Sequence, residues 1–160
     1  MAQITQAPLT QREKYRAECI RWMTEFEPDL FVTFAFNRWI SMDEAQRTFE
    51  EFHARLDRKL LGRSYMTRPD ERTDYRATIE KIDTNIHIHA LFRMTAEQKS
   101  RFVVEAPSIW KKLFEAGNLN IKPIYHSEGA ARYITKELRP ETSDRMLLPK
   151  HKEKKINIAA

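Results

Sequence analysis

Cysteine is nearly absent from these 160 residues: Cys19 stands alone. A single thiol cannot close an intrachain disulfide, and it excludes a cysteine-rich zinc site. Placed beside Ile20 and Trp22, it reads as a buried structural residue. Glycine is scarce as well, at three residues, which excludes collagen-like or linker-like composition and suits a globular chain with substantial helix. No stretch approaches 18 apolar residues, and the N-terminus lacks the charged-then-apolar layout of a secretory signal. A membrane span is therefore not expected, and a reducing cytoplasm is the expected setting. Internal repeats and low-complexity segments are absent too.

The length is that of one domain, enough to bury a core without staples. Twenty-eight Lys and Arg against 23 Asp and Glu leave a net charge of +5, which favours polyanionic partners. Many proteins are mildly basic, so charge supports a nucleic-acid reading without establishing one.

Residues 1–9 carry no periodicity and read as a flexible arm. Thr10 and Glu13 form a capping box, followed by a helix with Tyr15, Cys19, Trp22 and Phe26 on one stripe and a stop at Pro28-Asp29. Leu30–Phe36 (LFVTFAF) is too short for a helix and reads as a central strand. Ser41 and Glu44 make a second capping box, and Ala45, Phe49, Phe52, Leu56 and Leu60 step at helical spacing up to Gly62. The polar segment 63–74 is expected to be a mobile, substrate-facing loop. Tyr75–Ile82 and Ile86–Phe92 then read as a β-hairpin around Asp83-Thr84-Asn85. A helix capped by Thr95 and Gln98, interrupted at Pro107, precedes a strand at Leu119–Tyr125 and a last helix from Ser127 through Leu138. Residues 10–140 thus form the domain, and 141–160 a basic, partly disordered tail. The order α-β-α-β-β-α-β-α predicts an α+β fold: a mostly antiparallel sheet with helices packed on one face, leaving an open face for a ligand.

Two motifs carry chemistry. Alternation along a strand sends His87 and His89 to one face while Ile86, Ile88 and Ala90 point the other way. Two imidazoles so placed can ligate a divalent ion, and a hard ion such as Mg²⁺ or Mn²⁺ also wants a carboxylate. A two-residue turn at Asp83-Thr84 sets Glu80 opposite His87; one at Thr84-Asn85 sets it opposite His89. Either register puts Glu80 on the histidine face, with Asp83 in reserve. A bare His-x-His also arises often as two half-exposed strand residues.

The second motif is Tyr133-Ile134-Thr135-Lys136, in which helical spacing brings phenol and ammonium side by side. A tyrosine phenol ionises near pH 10 at about three units above neutrality, so a nearby cation helps it act as a nucleophile. In isolation this pattern is more commonly an ordinary amphipathic helix. Tyr125, next to His126, is a rival nucleophile without a spaced lysine.

With Phe31-Val-Thr-Phe-Ala-Phe36, His87-Ile-His89 and Tyr133-Ile-Thr-Lys136 in this order, residues 30–138 resemble the HUH (His-hydrophobic-His) endonucleases, in particular the initiators of rolling-circle replication. The first motif in that family is a hydrophobic strand whose threonine is mainly structural. The resemblance implies an antiparallel sheet with the metal site on its open face, His87 and His89 as ligands with Glu80 the third, and Tyr133 as nucleophile. Lys136 would position or neutralise the scissile phosphate. It implies nicking of single-stranded DNA at an origin or hairpin through a 5′-phosphotyrosine, with rejoining later. One tyrosine implies a second copy or a second cycle for termination, hence a homo-oligomer. No G-x-x-x-x-G-K-[ST] pattern follows, so unwinding would come from a host helicase.

Arg63, Arg68 and Arg72 in the loop, Arg132 beside the tyrosine, and Lys150, Lys152, Lys154 and Lys155 in the tail could supply charge for the strand. A solvated surface is the plainer reading for any one of them. Rival readings are a single-strand transposase or a relaxase of the same group, and a non-catalytic single-stranded nucleic-acid-binding module.

Overall fold

The computed structural model describes residues 6–155, the side chains of 153–155 excepted. Thus the arm up to residue 5 and residues 156–160 of the expected tail lie outside the described residues, as do the side chains of Lys154 and Lys155.

Helix α1 (Gln11–Glu25) starts at the expected capping box: Glu13 N–H donates to Thr10 Oγ1 at 3.2 Å, and Thr10 N–H donates to the Glu13 carboxylate at 2.7 Å. Cys19 and Phe26 are buried as the stripe requires, joined by Met23, while Tyr15 and Trp22 are half-buried. Strand β1 (Leu30–Ala35) follows, then α2 (Met42–Leu61). At Ser41 only half of the expected box forms: its hydroxyl accepts from Glu44 N–H at 3.1 Å. Gly62 ends α2 at φ 85°, a conformation that costs glycine nothing.

Strands β2 (Asp74–Glu80) and β3 (His87–Arg93) form the expected antiparallel hairpin. Helix α3 (Ala96–Leu113) runs straight through Pro107 instead of breaking there. Both Pro107 and Val103, whose carbonyl loses its helical partner, sit on the exposed side, where water can replace the bond. Strand β4 (Asn118–Pro123) and α4 (Ser127–Ile134) complete the expected order. A further strand, β5 (Met146–Leu147), pairs with β2.

The sheet is antiparallel throughout, in the order β4-β1-β3-β2-β5. One face carries Leu30, Val32, Phe34, Tyr75, Ala77, Ile79, Ile88, Ala90 and Phe92, packed on Phe49, Phe52 and Leu56 of α2 and on Phe102 and Trp110 of α3. The other face is less open than expected. Leu91 packs there with Met23 and Phe26 of α1 and Ala131 and Ile134 of α4, so two helices cover part of it. At the end of the sheet where Glu80 meets His87, Glu80 and His89 are buried and His87 is partly exposed.

The segment after residue 140 is more than a tail. Leu147 is buried in the main core, Lys150 pairs with Glu50 at 3.1 Å, and Lys152 pairs with Asp74 at 2.8 Å. Only two apolar residues anchor β5, which is why periodicity gave no sign of it.

Candidate metal and tyrosine site

Strand alternation delivers three ligand atoms to one point. Glu80 stands directly opposite His87 in the β2–β3 ladder, the register of an Asp83-Thr84 turn, although pairing stops there and residues 81–86 form a wider loop. Lys81, at φ 54°, turns the chain, and Thr84 N–H closes a turn on Lys81 C=O at 3.1 Å. Glu80 Oε2 lies 3.2 Å from His87 Nε2 and 3.2 Å from His89 Nε2, and the two nitrogens are 3.1 Å apart. Asp83, the reserve ligand, is not in this group.

Three observations test whether the cluster suits a metal ion. The three donors span a triangle whose edges match ligands about 2.1 Å from one ion, which sit roughly 3.0–3.4 Å apart. Glu80 Oε1 is buried with no hydrogen-bond partner among the described residues, an acceptor in want of a cation. Both histidines engage Nδ1 elsewhere, His87 with Asn85 C=O and His89 with Thr33 Oγ1, each at 3.0 Å. Because Asn85 C=O can only accept, His87 Nδ1 carries a proton, which leaves Nε2 as the nitrogen that would ligate once a metal ion displaces the proton it shares with Glu80. Glu80, His87 and His89 can therefore bind a metal ion.

The electrostatics agree. Burial pushes the Glu80 carboxyl up, but hydrogen bonds from His87 and His89 and the charges of His89 and Lys136 outweigh it, holding the group at about 2. His87 is raised above 6.5, chiefly by its hydrogen bond to Glu80, against the opposing effect of burial. In the metal-free protein, Glu80 thus stabilises the fold above about pH 4.5, and that contribution fades as pH falls toward about 2. The His87 contribution is complete below about pH 6.5 and fades as pH rises through its raised value. Metal binding has the opposite sense at His87, since the ligand must lose its proton. Mn²⁺ affinity is expected to weaken as pH is lowered, beginning above pH 6.5 and steepening toward about tenfold per unit below the raised value of His87. Calorimetric titrations at about pH 8, 7 and 6 measure this, and a flat affinity contradicts it.

Tyr133 and Lys136 flank the cluster, though not on one helix as expected. Helix α4 stops at Ile134, where Thr135 leaves helical geometry at φ −93° and ψ 1°, its buried hydroxyl donating to Ala131 C=O at 2.7 Å. Lys136 N–H instead bonds Tyr133 C=O at 3.3 Å in a tightened turn. Such turns repeat every three residues, so the side-by-side arrangement survives the loss of helix. Lys136 Nζ lies 3.8 Å from the Tyr133 ring centre and 3.4 Å from Glu80 Oε2. Burial works to lower the lysine, but Tyr133 and Glu80 raise it on balance, so the group is a cation. The Tyr133 ring is 5.5 Å from that of His89 and 5.7 Å from that of Phe31, yet 51% of the residue is exposed. Thr78 fixes the helix end by donating to Ile134 C=O at 3.1 Å.

The arginines named from sequence are placed elsewhere. Arg72 pairs with buried Asp57 at 2.7 Å, and Arg68 pairs with Glu71 and donates to Leu61 C=O. Both precede Asp74 at the far end of β2, roughly 20 Å along the strand from Glu80. Arg63 is exposed just beyond α2. Arg132 pairs with Glu128 at 2.7 Å and lines a groove against α1 with Arg16 and Ile20. The residues that sequence reasoning undervalued are Thr33 and Phe31: the pairing of Thr33 with His89 belongs to the β1–β3 register, which one sequence does not reveal.

Comparison of the chain with protein-family models, with curated proteins and with solved structures found no match.

Proposed function

We propose that this chain is a divalent-metal-dependent endonuclease of the HUH type that nicks single-stranded DNA with Tyr133 and starts rolling-circle replication at an origin. The observation that carries the reading is the exposed Tyr133 phenol ring held beside both a Glu-His-His cluster and the Lys136 ammonium. A histidine pair on a strand is common; its convergence with an exposed tyrosine and a lysine brought in from another part of the chain is not. The order of the three sequence motifs supports the same class.

In this mechanism Glu80, His87 and His89 hold the ion, with Mn²⁺ or Mg²⁺ the expected species. Held by these three residues, such an ion would supply Lewis-acid stabilisation of the negative charge on the scissile phosphate. Tyr133 Oη loses its proton to solvent and attacks phosphorus in line. The new P–Oη bond forms as the P–O3′ bond breaks, and the departing oxygen takes a proton from solvent to become a 3′-hydroxyl. The 5′-phosphate stays on the tyrosine, so the phosphoester remains available for rejoining. Lys136, already cationic against the Tyr133 ring, shifts from Glu80 to the scissile phosphate and stabilises the developing charge. A second copy for termination and a host helicase for unwinding belong to this proposal.

The test is cleavage of pooled, 5′-labelled single-stranded oligonucleotides with Mn²⁺ and with EDTA. Metal-dependent products with polymerase-extendable 3′-hydroxyl ends support the reading. Tight, metal-independent binding without cleavage identifies a binding module instead.

A further inference from the structure

We propose that Thr33 is a positioning residue for the metal centre, its hydroxyl holding the His89 ring so that Nε2 faces Glu80 and His87. The inference rests on the metal reading of that cluster.

Thr33 sits directly across from His89 in the β1–β3 ladder, on the same face of the sheet. Its Oγ1 lies 3.0 Å from His89 Nδ1. The ring has little freedom otherwise: His89 is 5% exposed, with the Phe31 ring 5.1 Å away on one side and that of Tyr133 5.5 Å away on another. To ligate through Nε2 a neutral imidazole must carry its proton on Nδ1, and a buried N–H needs an acceptor. The Thr33 hydroxyl is that acceptor. His87 meets the same requirement with the backbone carbonyl of Asn85, so each ligand has one partner behind it. Thr33 thus has a role beyond being β-branched in a strand.

The two roles separate by substitution. Thr33→Val keeps the branching and volume but removes the hydroxyl; Thr33→Ser keeps the hydroxyl but loses the methyl. A strand-forming role predicts that Val is silent and Ser harmful, whereas a positioning role predicts the reverse. Mn²⁺ binding by the full chain is measured by calorimetry, and the His89 tautomer by nitrogen-detected NMR of the protein bound to diamagnetic Mg²⁺. The expected results are about 10–100-fold weaker Mn²⁺ binding for Thr33→Val, near wild-type binding for Thr33→Ser, and an Nδ1–H tautomer at His89 in the Mg²⁺-bound wild type. Equal binding by Thr33→Val and wild type overturns the proposal. So does an Nε2–H tautomer in the Mg²⁺-bound wild type, which would place the ligating lone pair on Nδ1, a measurement that needs no variant to fold. Absence of Mn²⁺ binding by the wild type overturns the metal reading itself and this inference with it.

Discussion

Tyr133→Phe is expected to abolish nicking while leaving Mn²⁺ affinity within about twofold of wild type, since nothing in the ligand set depends on the hydroxyl. The substitution removes one oxygen from a half-exposed ring. The packing against His89 and Phe31 and the lysine over its face are kept. Stability should therefore change by less than about 0.5 kcal/mol. Loss of a nucleophile that forms the covalent bond is worth on the order of 10⁴-fold or more in rate. Single-turnover cleavage of a labelled strand, with calorimetry on the same preparations, separates chemistry from binding. Residual cleavage within tenfold of wild type would assign the attack to another group, such as water. Tyr125, which is 84% exposed, would be the next tyrosine to replace.

The largest stability effect is expected far from the site, at Asp57. This carboxylate is fully buried in α2 and receives Arg72 Nε at 2.7 Å, Thr73 N–H at 3.1 Å and the Thr73 hydroxyl at 2.7 Å, with His53 Nε2 at 3.2 Å. Together they tie the 63–73 segment to the core just before β2 begins. Asp57→Ala leaves the Arg72 guanidinium and a buried N–H without partners, a loss of about 3–5 kcal/mol. For a chain of this size that lowers the melting temperature by about 10 °C. Chemical denaturation should show the loss, while Mn²⁺ affinity of the folded fraction stays near wild type. A cost below about 1 kcal/mol would return Arg72 to the surface role that its sequence context suggested.

The contrast between these two positions explains what was legible in the chain. Helices and strands with strong periodicity stood out, because burial of one face imposes the repeat: the α2 series Ala45, Phe49, Phe52 and Leu56 is wholly buried. The Glu80–His87–His89 group was legible for the same reason, since alternation fixes faces and a hairpin fixes partners within nine residues of each other. Contacts set by distant pairing were not. Thr33 and His89 are 56 residues apart, and Arg72 reaches Asp57 on another element. A polar, proline-containing segment such as 63–74 reads as a free loop, yet one buried acid is enough to tie it down. The stop of α4 before Lys136 was missed because Pro140 is the first strong breaker in the sequence there, whereas the helix already ends at Thr135. The short β5 carried too few residues to show any pattern.

The most direct test of the central claim is identification of the covalent bond. Wild-type protein is incubated with Mn²⁺ and single-stranded oligonucleotides, the mixture is denatured in SDS, and the retained adduct is digested with nuclease and protease for mass spectrometry. The account predicts a nucleotide linked through its 5′-phosphate to the Tyr133 side chain, absent when EDTA is present. Strand cleavage that yields free 5′-phosphate ends and no peptide adduct would contradict it.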